Sequence, residues 1–162
     1  MIIRKATEKD LGPINEIYNQ AVTTTTATFD TEPKTLEERR QWFEHHGPAH
    51  PVLVAQSEAG VCGWASLSEY SPRAAYARTV EISIYISEES RGKGIGKRLL
   101  HAILAEARAL GHHTILARIT ADNPVSVRLH ENAGFEMVGT MREVGFKFGR
   151  LLDVHIMQLV MP

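Results

Sequence analysis

Three groups in this chain have residue types and spacing that could do chemistry. The first is a loop, Arg91-Gly92-Lys93-Gly94-Ile95-Gly96-Lys97, in which three glycines alternate among cations. Glycine tolerates positive φ, so successive N–H groups can turn to one point and form an anion nest. A helix starting there adds its own free N–H groups and the positive end of its dipole. The second group is Glu81, a carboxylate within Thr79-Val80-Glu81-Ile82-Ser83-Ile84-Tyr85-Ile86. The third is His130, whose ordinary pKa near 6.5 suits proton transfer at neutral pH.

The spacing of the loop excludes two common nucleotide motifs. A dinucleotide fingerprint reads G-x-G-x-x-G, and a Walker loop ends in Lys-Ser or Lys-Thr, whereas this loop reads G-x-G-x-G. In isolation such a loop is equally a glycine-rich turn with solvated charges. Its place between a strand and a long amphipathic helix favours phosphate. A lone strand glutamate is more often solvent-facing than catalytic, and His130 has a structural alternative too.

These residues need elements to hold them. Strands are predicted at Ile2 to Ala6, Pro51 to Gln56, Val61 to Ser68, Thr79 to Ser87, Thr114 to Ile119, Phe135 to Thr140 and Val154 to Val160. Helices are predicted from Thr7–Asp10 to about Ala21, from the capping box Thr35/Glu38 to Gly47-Pro48, and from the glycine loop to Gly111. A fourth spans Pro124 to Ala133, with Asn123 as its cap. Alternation sends Val80, Ile82, Ile84 and Ile86 to one face of their strand and Glu81, Ser83 and Tyr85 to the other. Ile95, Leu99, Ile103, Ala107 and Leu110 form one helical stripe. Thr23 to Thr28 reads as a loop. The order β-α-α-β-β-β-α-β-α-β-β predicts one α/β (α+β) domain over residues 1–162, with a mixed, mostly antiparallel twisted sheet and helices on both faces.

Composition narrows the function. A net charge of −1 gives no electrostatic reason to expect nucleic acid or an anionic membrane. One cysteine, Cys62, rules out an internal disulfide and suits a reducing compartment, so a cytoplasmic protein is expected. It reads as a small buried hydrophobe. Trp42 and Trp64 read as packing residues. His45, His46 and His50 resemble a metal cluster, but Gly47-Pro48 breaks the helix that would align them; a solvated helix end, and no metal, is the expectation.

Arg91-x-x-Gly94-x-Gly96, followed by Asn123-Pro124-x-Ser126-x-x-Leu129-His130-x-x-x-Gly134-Phe135, resembles the two signatures of the GNAT superfamily of N-acetyltransferases. Arg73-Ala74-Ala75-Tyr76-Ala77-Arg78 through Tyr85, Thr31-Glu32-Pro33, Ser126 to Glu131 and Gly145-Phe146-Lys147-Phe148-Gly149 resemble its phosphinothricin and methionine sulfoximine acetyltransferase branch. The resemblance implies acetyl-CoA as co-substrate. Its pyrophosphate would lie on Arg91 to Lys97 and its pantetheine arm along Ile84, Tyr85 and Ile86, with Asn123, Ser126 and Asn132 as further contacts. It also implies Glu81 as general base, strand N–H groups at Ile84 facing the developing oxyanion, and a homodimer.

Many superfamily members have a tyrosine acid at the position of His130, so that role does not transfer unchanged. His130 is expected to assist either amine deprotonation or thiolate departure. Phe29, Arg73, Tyr76 and Arg78 are expected to contact a small amino-acid-like amine. Another amine (a protein N-terminus, lysine or aminoglycoside) and a non-catalytic acyl-CoA sensor are the alternatives; retention of both Glu81 and His130 argues against the sensor.

Overall fold

The computed structural model describes residues 1–162. The seven strands are β1 (Ile2–Lys5), β2 (Val52–Ser57), β3 (Gly60–Glu69), β4 (Thr79–Ile86), β5 (Thr114–Thr120), β6 (Glu136–Lys147) and β7 (Arg150–Val160). They form one sheet in the order β1-β2-β3-β4-β5-β7-β6. Every pairing is antiparallel except β4–β5. The helices are α1 (Leu11–Thr24), α2 (Leu36–Glu44), α3 (Ile95–Ala109) and α4 (Pro124–Glu131).

Local sequence sets the helix ends. Thr7 and Asp10 close a capping box on a 3₁₀ turn, Glu8–Asp10, that feeds α1. Thr35 and Glu38 cap α2 reciprocally, with Glu38 N–H donating to Thr35 Oγ1 at 3.1 Å and Thr35 N–H to Glu38 Oε2 at 2.7 Å. Gly94, at φ 77°, precedes α3.

The sheet carries a core on each face. On one, α3 buries Ile95, Leu99, Leu100, Ile103 and Ala107 against Val80, Ile82, Ile115 and Met157. Burying each such aliphatic side chain contributes about 1.5–3 kcal/mol. On the other, Ile14 and Ile17 of α1 pack with Val52, Val54 and Trp64, flanked by Trp42 and Phe43 of α2. Glu81, Ser83 and Tyr85 face this second side, as alternation requires.

Four expectations need correction. Leu110 does not continue the α3 stripe: it is the C-cap residue and is exposed. Thr23 and Thr24 belong to α1, with their hydroxyls donating back to Asn19 O and Gln20 O at 3.1 and 2.6 Å. The last two strands are longer than expected and meet in a hairpin through Phe148-Gly149, where both residues have positive φ. His46 is not solvated. It is buried, bonded through Nδ1 to Trp42 O at 2.7 Å and through Nε2 to Ser68 Oγ at 3.2 Å. No group of three potential metal-ligating side chains exists. No helix is long and apolar enough to cross a membrane.

Candidate active site

The parallel pairing of β4 with β5 covers only Thr79–Glu81 against Thr114–Leu116. Beyond Glu81 the two strands part, while β3 stays paired with β4 as far as Ile86. The β5-facing edge of Ser83 to Ile86 therefore keeps backbone groups without a strand partner. Groups of this kind require partners when covered, so the gap suits a ligand with amides of its own.

Two cavities flank the gap. One, about 820 Å³, is lined by Ile84 and Ile86 of β4, by Arg91, Gly92, Gly94, Ile95, Gly96 and Lys97, and by Asn123 and Ser126 at the start of α4. Gly92 and Gly94 have φ of 75° and 77°, and nothing lies within 4 Å of a Cβ built on either. Backbone conformation, and not crowding within the chain, therefore demands glycine at both positions, as an anion nest does. The α3 N-terminus opens on the same cleft. This end is suited to an anion, and the open edge of β4 to an extended polar chain.

The side chains of three expected cofactor residues do not line the cleft, which leaves the expected backbone contact of Tyr85 untouched. Lys93 Nζ is held by Glu89 O at 2.8 Å. The Tyr85 side chain points away, into the Tyr18–Trp64 aromatic cluster, with ring centroids 5.2 and 4.9 Å away. Asn132 is the exposed C-cap of α4. Asn123 also serves the fold, because its Oδ1 accepts from Ser126 N–H at 3.1 Å and so caps α4, beside Pro124 at the first position.

The second cavity, about 460 Å³, adjoins the first through Ile84, Asn123 and Ser126. Glu81, Ser83, Arg118, His130, Phe29, Met141 and Val144 are among its walls. Glu81 is gripped by Arg118, with Nε–Oε1 at 2.7 Å and NH2–Oε2 at 2.9 Å. That bidentate pair raises the Arg118 pKa, first through the hydrogen bond and then through charge. A carboxylate has about four acceptor positions, so Glu81 can still accept a proton or bind water.

His130 is buried, and its Nδ1 lies 2.8 Å from Ser126 O. A carbonyl only accepts, so Nδ1 carries a hydrogen, and in the neutral ring Nε2 keeps a lone pair. Burial pushes the imidazole pKa down, partly countered by that hydrogen bond. Phe135 packs edge-on at 5.0 Å and fixes the ring.

Arg73, Tyr76 and Arg78 do not line this cavity. Tyr76 is exposed against Tyr70 at 5.2 Å, and Arg78 Nε donates to Gly111 O at 3.1 Å. Of the four expected acceptor contacts, only Phe29 is in the wall.

Sequence reading missed Arg118, and it missed that Thr25 to Phe29, read only as a loop ending in an acceptor contact, forms an anchored strap. Arg118 sits in a strand, where an arginine on a half-buried face asks for a partner; that was the available signal. The strap lies between the cavities, and four of its carbonyls are held. Lys147 Nζ donates to Thr25 O and Thr28 O at 2.7 and 2.8 Å, Thr120 Oγ1 to Thr26 O at 2.6 Å, and the Tyr85 hydroxyl to Ala27 O at 3.3 Å. Burial holds the Tyr85 phenol up at about 12, so it stays a donor. Gly145 passes so close to the Phe29 ring that a Cβ would overlap it.

Residues 3–156 match the family model described as an acetyltransferase (GNAT) domain. The chain is 44% identical over 159 residues to the L-methionine sulfoximine/L-methionine sulfone acetyltransferase of Pseudomonas aeruginosa, covering 97% of this chain and 92% of that one. It superposes with a TM-score of 0.95 on the phosphinothricin acetyltransferase of Sinorhizobium meliloti in complex with acetyl-CoA, at 41% identity over 98% of this chain and 87% of that one. A ribosomal-protein-alanine N-acetyltransferase from Brucella melitensis gives a TM-score of 0.96 at 41% identity, covering 99% and 100%. Two phosphate-adapted glycines, a parted strand pair and a polar cavity beside them thus have an established counterpart: the chain belongs to the GNAT acetyltransferase family, with acetyl-CoA as co-substrate.

Proposed function

We propose that this chain transfers the acetyl group of acetyl-CoA to the α-amino group of a small amino acid or analogue of the methionine sulfone, methionine sulfoximine or phosphinothricin type. One observation carries the reading: a cavity of about 460 Å³ with Glu81 and His130 in its walls abuts the cleft of the glycine loop. Its size suits a small amine.

An α-ammonium must lose a proton before it can attack a thioester. Glu81, kept in place by Arg118, is the proposed base, directly or through a water. The lowered imidazole pKa favours the neutral ring of His130, whose Nε2 supports a second proton-acceptor role over donation to the departing thiolate. Strand N–H groups near Ile84 are the proposed donors to the thioester oxygen as it gains charge. Phe29 is the proposed acceptor wall. Arg73, Tyr76 and Arg78 would need a route other than this cavity to meet an acceptor.

A homodimer is also proposed. Strand β6 is a sheet edge, and Val138, Val144, Phe146 and Leu151 expose apolar surface along its hairpin. A second copy is the occupant that the branch resemblance supports. The single buried cysteine supports a cytoplasmic setting.

Thiol release from acetyl-CoA, measured across an amino-acid panel, tests the activity. Methionine sulfone, methionine sulfoximine and phosphinothricin are expected among the best acceptors. A peptide beginning with alanine, added because of the Brucella relative, is expected to be poor. Preference for the peptide would reverse the substrate assignment, and absence of thiol release throughout would reject transfer.

A further inference from the structure

A third cavity, about 320 Å³, lies beneath α2. Tyr18, Trp42, Trp64 and Arg39 are among its walls, and Ser66 and Ser83 line the sheet side. Arg39 is only 4% exposed. Its guanidinium carbon sits 4.5 Å from the Tyr18 ring centroid and 4.6 Å from that of Trp42. The hydrogen bonding of the guanidinium within the chain is limited to Nε donating to Asn15 Oδ1 at 3.2 Å. Aromatic faces compensate a cation in part, but they leave the terminal N–H donors without acceptors.

Both carboxylates at the cavity are engaged elsewhere. Asp30 accepts from the Tyr18 hydroxyl and pairs with Lys34 at 3.9 Å. Glu38 closes the α2 capping box. Trp64 supplies a second unpaired donor, because its buried Nε1 has no partner. One buried donor, Trp64 Nε1, and the Arg39 terminal N–H groups, which have no acceptor within the chain, front one cavity and suit an oxygen-bearing ligand.

The cavity adjoins the acceptor site. Ser83 and Tyr85 are walls of both. Glu81 and Ser83 share one face of β4 two residues apart, a step of about 6.6 Å. An α-carboxylate lies too close to its own amine to reach past Ser83 when the amine is at Glu81. The end of a short side chain does reach.

We propose that Arg39 binds the oxygen-bearing end of the acceptor side chain, whether sulfone, sulfoximine, phosphinate or carboxylate, and so sets acceptor selectivity. The assignment rests on the amino-acid acceptor reading above.

The test uses L-methionine sulfone and L-methionine, which differ only in two side-chain oxygens. Arg39→Lys keeps the charge and removes the planar fork; the ratio of kcat/KM for sulfone over methionine should fall at least about tenfold. An unchanged ratio, or equal loss on both acceptors, overturns the proposal. If that variant does not fold, Ser83→Val narrows the shared wall and should lower the same ratio; no change in it is equally fatal.

A readout independent of turnover comes from Trp42 and Trp64, the chain's two tryptophans, both in the cavity wall. With coenzyme A present, methionine sulfone should change their fluorescence saturably in the wild-type chain, and at least about tenfold more weakly in Arg39→Lys. No saturable change in the wild type overturns the subsite. Absence of thiol release with every acceptor, alongside a saturable titration, would instead reject acetyl transfer and leave the subsite standing.

Discussion

The proposed cofactor cleft and the proposed acceptor cavity share Thr26, Ala27, Ile84, Asn123 and Ser126, yet they are made of different material. The cleft works mainly through backbone: two left-handed glycines, a helix start and a strand edge left open by the parting of β4 and β5. The cavity works through side chains delivered by β4, β5, α4, the strap and the β6–β7 hairpin. Backbone recognition is generic and survives changes of neighbouring side chains. Side-chain recognition is specific and depends on long-range packing. A family can therefore keep one donor and vary its acceptors.

Substitutions on each side of the shared wall probe that division. Glu81→Gln should produce the largest effect, lowering kcat/KM by at least about a hundredfold, the scale of general-base loss. An unchanged pH–rate profile in this variant would reject Glu81 as the base.

Gly94→Val should act on the other side. A β-branched residue at φ 77° carries about 1–3 kcal/mol of strain, so KM for acetyl-CoA should rise about tenfold or more. The acceptor KM should move much less. Equal rises in both constants would dissolve the distinction between the two regions.

Lys147 tests their coupling, since its ammonium anchors the strap between them. Lys147→Met should raise both KM values about fivefold, through loss of two buried hydrogen bonds, and speed amide exchange at Ala27 to Asp30. Unaltered exchange there would show that the strap is held by its other contacts.

The smallest effect concerns pH. Burial lowers the folded-state pKa of His130 below its unfolded value, so the unfolded chain binds more protons as pH falls. The folded state therefore loses stability as pH drops from about 6.5 through the lowered pKa, while above 6.5 both states are neutral. His130→Gln should flatten the fall in Tm between pH 7 and 5, leaving a remainder from His46, which burial also shifts down. An identical slope in the variant would assign the acid sensitivity elsewhere.

The same division explains what is legible in the sequence. The glycine loop is six contiguous residues, so its chemistry shows in one window. Helix caps at Thr35/Glu38 and Asn123 are equally local, and β4 alternates cleanly enough to aim Glu81. The acceptor cavity joins Phe29 to Glu81, Arg118, His130 and Val144, and nothing local in sequence states those proximities. Arg118 meets Glu81 only through the short parallel register of β4 and β5. The hairpin reads short in sequence because its register shifts between Met141 and Gly145, with Glu143 at positive φ, which breaks the two-residue period. Arg73, Tyr76 and Arg78 rest on resemblance alone, and the single chain puts them outside the cavity.

The parting of β4 and β5 also has a mechanical side. The sheet consists of two leaves, β1 to β4 and β5 to β7, stitched by a spine of three residue pairs. A ligand lying along β4 and touching α4 bridges both leaves, and a ligand bound only by the folded state stabilises that state. An acetyl donor held at the proposed cleft would therefore act as a splint along the seam where the sheet's own hydrogen bonding is thinnest.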